Sequence, residues 1–173
     1  MLTRICIACL PGLLSFVVYA EIPKQPTVHR RTEFAFVVHA PLKTAFPLFG
    51  AYQERAWADR WDPNFLHPEP ANDQPGAVFT LKTGHSSVWI DTVYDRSQGH
   101  IQYACFAKEE MTTLIDIRLR RRSATTTTAV VVYERTALQP EANEYVNQMA
   151  DSDKAKGPEW EAAINAYLQK GSK

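Results

Sequence analysis

The sequence predicts an α+β domain in which an antiparallel sheet of about six strands packs against a long C-terminal helix. Two patterns carry this prediction. Between positions 77 and 138 apolar residues recur at every second position, which is typical of strands with one buried face. Between positions 158 and 168 they recur at helical spacing, in a stripe that includes Trp160 and Tyr167. Neither pattern can bury its apolar face alone, so we expect the helix to lie against the sheet.

The region before the sheet predicts one strand and two short helices. Residues 32–40 are dense in β-forming side chains, and Pro41 ends the strand. Residues 41–52 place apolar side chains on one helical face, and residues 54–60 form a second helical or irregular piece. The prolines between positions 62 and 76 predict a long loop.

The central region predicts five strands joined by short turns. They cover residues 77–82, 86–94, 100–108, 111–120 and 125–138, an arrangement typical of an antiparallel meander. In the fourth of these strands Ile115 and Ile117 alternate with Asp116 and Arg118. One face of the sheet is therefore expected to be buried and the other wet.

Two helices are predicted at the end of the chain. Pro140 begins the first, whose stripe includes Tyr145 and Met149, and the polar residues 151–157 separate it from the second. The second is expected to begin at Gly157 and Pro158, because proline suits the first helical turn. Its polar face contains Glu159, Glu161 and Asn165.

The N-terminus has the pattern of a signal peptide covering residues 1–20. A single charge at Arg4 precedes an apolar stretch, and Val18 and Ala20 occupy the −3 and −1 positions of a cleavage site. The apolar stretch is short for a membrane span, although an uncleaved anchor is the alternative. We therefore expect a secreted or periplasmic chain, without a stable membrane anchor after cleavage. Residues 21–31 are expected to form a flexible leader, and residues 32–170 a single domain.

Cleavage would leave one cysteine. Cys6 and Cys9 belong to the predicted signal peptide, so Cys105 has no partner for an internal disulfide. Its place in a strand predicts a small, buried apolar side chain.

The order of elements resembles the START-like or helix-grip superfamily (SRPBCC), which includes the birch pollen allergens, lipid-transfer domains and polyketide cyclase/dehydrase-like proteins. Three segments carry the resemblance: Val-His-Ala-Pro at 38–41, the tryptophan- and proline-bearing residues 54–63, and Tyr-Glu-Arg-Thr-Ala-Leu at 133–138 followed by Pro-Glu-Trp at 158–160. The resemblance covers residues 34–168. It implies a sheet that curves round the C-terminal helix and leaves a cavity for an apolar ligand.

Cavities of this kind are lined by apolar and aromatic side chains with a few polar groups that orient the ligand. Buried Tyr and Trp residues are favoured because their O–H and N–H groups need partners. An ordinary packed core would also account for these residues. The candidates for ligand contact are Trp57, Trp61, Trp89, Tyr103, Met111, Ile115, Tyr133, Tyr145, Met149 and Trp160.

Acid–base chemistry in such a cavity would need a proton donor and acceptor, for which His39, Asp91 and Tyr103 are weak candidates. Asp91 and Trp89 share one face of their strand. If that face is inward, burial would raise the pKa of Asp91 and make it a base. The opposite orientation, in which Val88, Ile90 and Tyr94 face inward, is favoured by their apolar character.

Other function classes find little support. The chain has 19 basic and 19 acidic residues, and its one basic cluster, near Arg120, reads as a solvated hairpin end, so no nucleic-acid partner is expected. The five histidines lack metal-ligand spacing, and there is no glycine-rich phosphate loop. We therefore expect neither a metal nor a cofactor.

The resulting hypothesis is an exported protein that holds a hydrophobic small molecule or lipid between the sheet and the last helix. The alternative is a cyclase- or dehydratase-type enzyme that uses the same cavity. A third interpretation is an interaction module with a filled core.

Overall fold

The computed structural model describes residues 26–81 and 87–171. The predicted signal peptide and most of the predicted leader lie outside these residues. Within them, no helix combines the length and the apolar composition needed to cross a membrane.

The described residues form one antiparallel sheet in which the first strand pairs with the last. The order across the sheet is β1-β7-β6-β5-β4-β3-β2. Consecutive strands from β2 to β7 are neighbours, which confirms the predicted meander. The strands are β1 (His29–Val38), β2 (Asn64–His67), β3 (Val78–Leu81), β4 (Ser87–Asp95), β5 (His100–Ala107), β6 (Met111–Arg121) and β7 (Thr127–Ala137).

Two boundaries differ from the prediction. β2 lies inside the predicted loop, where Phe65 pairs with Phe79 of β3, and it raises the strand count from about six to seven. The first strand begins at His29, so residues 29–31 belong to the sheet and not to the leader. The reason is pairing with β7, where His29 lies opposite Thr136.

Short helical segments follow β1, as predicted, but each is only one turn long. Pro47 accounts for this, because proline lacks the N–H that a continuing α-helix would need. The C-terminal helices are longer and occupy the predicted regions. The helices are α1 (Leu42–Ala45), a 3₁₀ turn (Phe46–Phe49), α2 (Ala51–Glu54), a 3₁₀ turn (Pro140–Ala142), α3 (Asn143–Asp153) and α4 (Lys156–Lys170).

Helix α4 packs on the sheet through its predicted apolar stripe. Ile164 is fully buried, and the Trp160 ring meets the edge of Phe34 with their centroids 5.8 Å apart. The helix begins at Lys156, so Gly157 lies within it and does not start it. Gly157 is buried where a Cβ atom would lie 3.3 Å from the Phe34 ring, which accounts for a glycine at this close approach.

Asn165 departs from the predicted polar face of α4 because it is buried. Its Oδ1 accepts a hydrogen bond from the His39 backbone N–H at 2.7 Å, and its Nδ2 donates to the Val37 carbonyl at 2.9 Å. These groups lie at the end of edge strand β1, where no further strand can pair with them. Asn165 therefore joins the helix to the sheet by satisfying backbone groups.

Candidate ligand cavity

A cavity of about 500 Å³ lies between the inner face of the sheet and the helices. Its wall combines residues of β4 to β7 with residues of α3, α4 and the segment that follows α2. All ten candidates for ligand contact line it, so the predicted set converges on one space. Their role as ligand contacts stays a prediction. They are Trp57, Trp61, Trp89, Tyr103, Met111, Ile115, Tyr133, Tyr145, Met149 and Trp160.

The tryptophans present mainly apolar surface, because three of their indole N–H groups already have partners. Trp57 Nε1 donates to the Leu48 carbonyl at 2.6 Å, and Trp61 Nε1 donates to the Ala51 carbonyl at 2.8 Å. Trp89 Nε1 donates to a serine hydroxyl on its own strand at 2.8 Å. These bonds fix the ring orientations and leave polar recognition to other side chains.

Edge-to-face contacts join the aromatic side chains into the wall of the cavity. Trp57 and Trp160 have ring centroids 5.4 Å apart at an interplanar angle of 69°. Trp61 and Trp89 are 5.6 Å apart at 81°. These are favourable distances and orientations for aromatic pairs, so the rings hold one another in place.

Asp91 faces the interior, and the favoured sequence interpretation of its strand was wrong. Trp89 also faces inward, whereas Val88 and Ile90 are 42% and 41% exposed. The alternation along this strand misled the interpretation because the register shifts between Asp91 and Val93. This bulge lets Tyr94 pack inward as well, although strict alternation would place it on the face opposite Asp91.

The Asp91 carboxyl group is in an unusual environment. It is fully buried, and within the described part of the chain neither carboxylate oxygen has a hydrogen-bond partner. Burial raises the pKa of Asp91 to about 8, and the nearby Asp73 carboxylate adds to this rise. A carboxyl group in this position retains its proton well into the neutral range.

Glu54 is a functional candidate that the sequence analysis missed. It ends α2, lines the cavity and is only 4% exposed. Burial raises its pKa well above the ordinary value, and the charges of Asp73 and Asp91 raise it further. A lone glutamate on a one-turn helix gives no periodic signal, so only the tertiary structure reveals it.

Tyr103 lines the cavity close to these acids. Its hydroxyl donates a hydrogen bond to the Phe49 carbonyl, and it lies opposite Asp91 across the β4–β5 pairing. Burial raises its pKa well above the ordinary value, and the charges of Glu54 and Asp91 contribute. Tyr103 therefore stays protonated, and its hydroxyl oxygen can still accept a second hydrogen bond.

Arg135 is the second residue missed at sequence level. It lines the cavity, and its Nη1 donates to the Thr113 hydroxyl at 2.9 Å. Two further hydrogen bonds join it to Asp153 of α3, so the cation is neutralised inside the fold. Alternation offered a signal here, because Arg135 shares its strand face with Tyr133, which was expected to point inward.

The other candidates fall outside the chemistry of the cavity. His39 is exposed and is not part of the cavity wall, which removes it from the proposed acid–base set. Cys105 is buried, and burial raises the pKa of its thiol to about 11, so it is a poor nucleophile. In the described ranges no three His, Cys, Asp or Glu side chains are grouped so that they could hold a metal ion.

Solved structures with the same architecture are similar to this chain over most of its length. Norcoclaurine synthase from Thalictrum flavum superposes with a TM-score of 0.60 at 12% identity, covering 94% of this chain and 97% of that one. Zhui aromatase/cyclase from Streptomyces sp. R1128 gives 0.56 at 15% identity, covering 84% and 94%. Ara h 8.0201 gives 0.57 at 12% identity, covering 83% and 99%.

The chain has the helix-grip fold. The fold predicted from the order of elements is therefore confirmed. No protein-family model and no curated protein matches the sequence. At these low identities the likeness concerns the fold, so the function has to be inferred from the cavity itself.

Proposed function

We propose that this protein binds a hydrophobic small molecule or lipid in the cavity between the sheet and α4. The observation that carries the proposal is a space of about 500 Å³ lined by four tryptophans, three of which have their indole N–H groups bonded within the protein. This volume lies in the range of small-molecule sites, and such walls favour apolar ligands. Structural neighbours named as a norcoclaurine synthase and as an aromatase/cyclase support this class at the level of the superfamily.

We further propose that the protein acts outside the cytoplasm. The support is the leader at residues 1–20, which has the charge, apolar stretch and small residues of a cleavable signal. Expression of the full chain, followed by mass measurement of the exported product, tests this part. A product that begins near Glu21 supports export, and an uncleaved chain retained in the membrane contradicts it.

A pair of neighbouring alanines on α4 tests the cavity. Ala163 lines it, whereas Ala162 is exposed on the same helix. Ala163→Trp should fill the cavity and weaken binding of the fluorescent probe anilinonaphthalene sulfonate by about tenfold or more. Ala162→Trp adds the same side chain to the surface and serves as the matched control. Equal binding by both variants and the parent protein would contradict the proposal.

A second candidate function is an enzyme of the cyclase or dehydratase type. The observation that favours it is the meeting of Glu54 and Tyr103 in the cavity wall with Asp91 behind them. Groups with raised pKa values in a cleft are suited to proton transfer. Asp91→Asn separates the two functions, because an enzyme should lose turnover while it still binds the probe, whereas a carrier should keep its binding and have no turnover to lose.

A further inference from the structure

The buried ionisable side chains of the cavity differ in whether they have a partner of opposite charge. Among the charged residues that line it, Arg135 and Glu54 are buried. Arg135 is bound by Asp153 through two hydrogen bonds, so its charge is compensated. Glu54 has no comparable cation in its described surroundings.

The other basic side chains of the cavity wall, Lys156 and Arg60, are paired as well. Lys156 Nζ lies 2.9 Å from Glu159 Oε2 on the same helical turn. Arg60 Nε lies 3.7 Å from Asp59 Oδ2, and both side chains are largely exposed. Exposed pairs of this kind contribute little energy, but they leave no strong unpaired positive charge at these positions.

The titratable groups that face Glu54 are two further carboxyl groups and two phenols. Asp73 approaches from the loop before β3, and Asp91 from β4. Tyr103 and Tyr133 face it from β5 and β7 as neutral phenols. This end of the cavity therefore brings three carboxyl groups together, and the positive charges of Arg55 and Arg96 act on Asp73.

Aromatic rings lie beside Glu54. Trp57 follows Glu54 by one turn, and its backbone N–H donates to the Glu54 carbonyl at 3.1 Å. Its ring meets that of Trp160, and its indole N–H is already bonded to a backbone carbonyl. The ring faces can therefore attract a cation, and the indole N–H of Trp57 is directed away from it towards its own partner.

We propose that the cavity takes a ligand with a protonated amine on an apolar aromatic body, and that the ammonium group binds the Glu54 carboxylate. This inference rests on the proposed function, because it specifies the class of molecule that the cavity holds. The apolar body would lie against the tryptophans, and the ammonium would supply Glu54 with a cation, which it does not have in its described surroundings. An ammonium–carboxylate pair away from water is a strong, charge-assisted contact.

The exchange has a defined proton balance. Burial and the neighbouring acids raise the pKa of Glu54, which favours the protonated carboxyl group in the free cavity. When the ammonium form of the ligand binds, the carboxyl group gives up its proton to solvent and keeps a negative charge. One proton is therefore released for each molecule bound, so affinity rises with pH while the amine stays protonated.

A matched pair of probes tests the inference, namely naphthylethylamine and the alcohol naphthylethanol, which have nearly the same shape. Calorimetry on the full mature chain should give about tenfold tighter binding of the amine. The preference should increase as the pH rises while the amine stays protonated, and titrations in two buffers should show the released proton. Glu54→Gln should abolish the preference and leave binding of the alcohol within about twofold. The control is Glu161→Gln, the same substitution at a position outside the cavity wall.

The outcomes are distinguishable. If neither probe binds, the proposed function fails, and this inference fails with it. If the alcohol binds as well as the amine, the cavity is apolar but the amine class is wrong. If Glu110→Gln and not Glu54→Gln removes the preference, the ammonium site has been assigned to the wrong cavity carboxylate. If Glu54→Gln does not fold, the pH dependence and proton release of the unmodified protein still decide the matter.

Discussion

Arg135 of β7 binds Asp153 of α3 through two hydrogen bonds, from Nε to Oδ2 at 2.6 Å and from Nη2 to Oδ1 at 2.8 Å. Both side chains are buried. The Arg135 guanidinium also lies over the Tyr133 ring, 4.8 Å from its centroid. The pair fixes the end of α3 to the sheet beside the cavity, and each charge depends on the other for compensation.

Loss of one partner of this pair should destabilise the fold strongly. Asp153→Ala leaves the Arg135 cation buried without compensation, for which we expect a loss of about 3–5 kcal/mol in the free energy of unfolding. Asp151→Ala removes an exposed carboxylate from the same helix and should change stability little. Urea unfolding measures both. A similar small effect for the two variants would show that the buried pair contributes little.

Stability should fall as pH rises from about 4 to about 8 because of Asp91. Its pKa is near 4 in the unfolded chain and about 8 in the fold, so in this window the folded state holds a proton that the unfolded state releases. The contribution is present at low pH, decreases by at most about 1.4 kcal/mol per pH unit, and is lost above the folded pKa. Thermal unfolding should show that Asp91→Asn flattens this dependence. An unchanged pH profile in the variant would contradict it.

Gly50 allows the close approach of Asp73 to the start of α2. Asp73 Oδ1 accepts a hydrogen bond from the Tyr52 backbone N–H at 2.7 Å, and a Cβ atom on Gly50 would overlap the carboxylate. We therefore expect Gly50→Ala to cost about 1–3 kcal/mol in the free energy of unfolding and to displace Glu54. Gly171→Ala meets no atom closer than 4.0 Å and is the control.

A double variant checks the cause of the Gly50 effect. If overlap with the carboxylate is responsible, Gly50→Ala should cost less when Asp73 is already alanine. The two changes would then be clearly non-additive in denaturant unfolding. Simple additivity would mean that the cost arises elsewhere.

Trp160 should affect ligand binding through its place in the cavity wall. Trp160→Leu removes the ring that Trp57 and Phe34 contact, so we expect both lower stability and at least about tenfold weaker binding of an apolar probe. Tyr167→Leu is the comparison, because Tyr167 is on the same helix and packs against the core but does not line the cavity. It should lower stability with little change in probe affinity. Probe titration and thermal unfolding on both variants separate the two effects.

The fold could be predicted because its signals are periodic. The alternation along β6 and the stripe of α4 each report one buried face, and the order of elements then leaves few arrangements. β2 escaped prediction because its four residues are largely exposed and lie among prolines. Such a short strand is defined by its pairing with β3 and not by its own sequence.

The cavity wall could be predicted, but its polar centre could not. Aromatic residues identify the wall because few other positions accommodate such large side chains. Asp91 was assigned to the wrong face because the outer surface of β4 is itself apolar, with Val88 opposite the half-exposed Phe106, and because a bulge breaks the alternation. Glu54 and Asp153 depend on contacts between distant segments, which no local pattern reports.

The pairing of β1 with β7 has a consequence for how the chain is completed. His29 and Thr136 are neighbours in the sheet although they lie 107 positions apart. β1 is therefore synthesised first but cannot pair until β7 has been synthesised. The edge of β7 that β1 covers stays unpaired until nearly the whole domain has left the ribosome. Contacts this distant slow folding, so the nascent chain should remain unfolded until synthesis is almost finished.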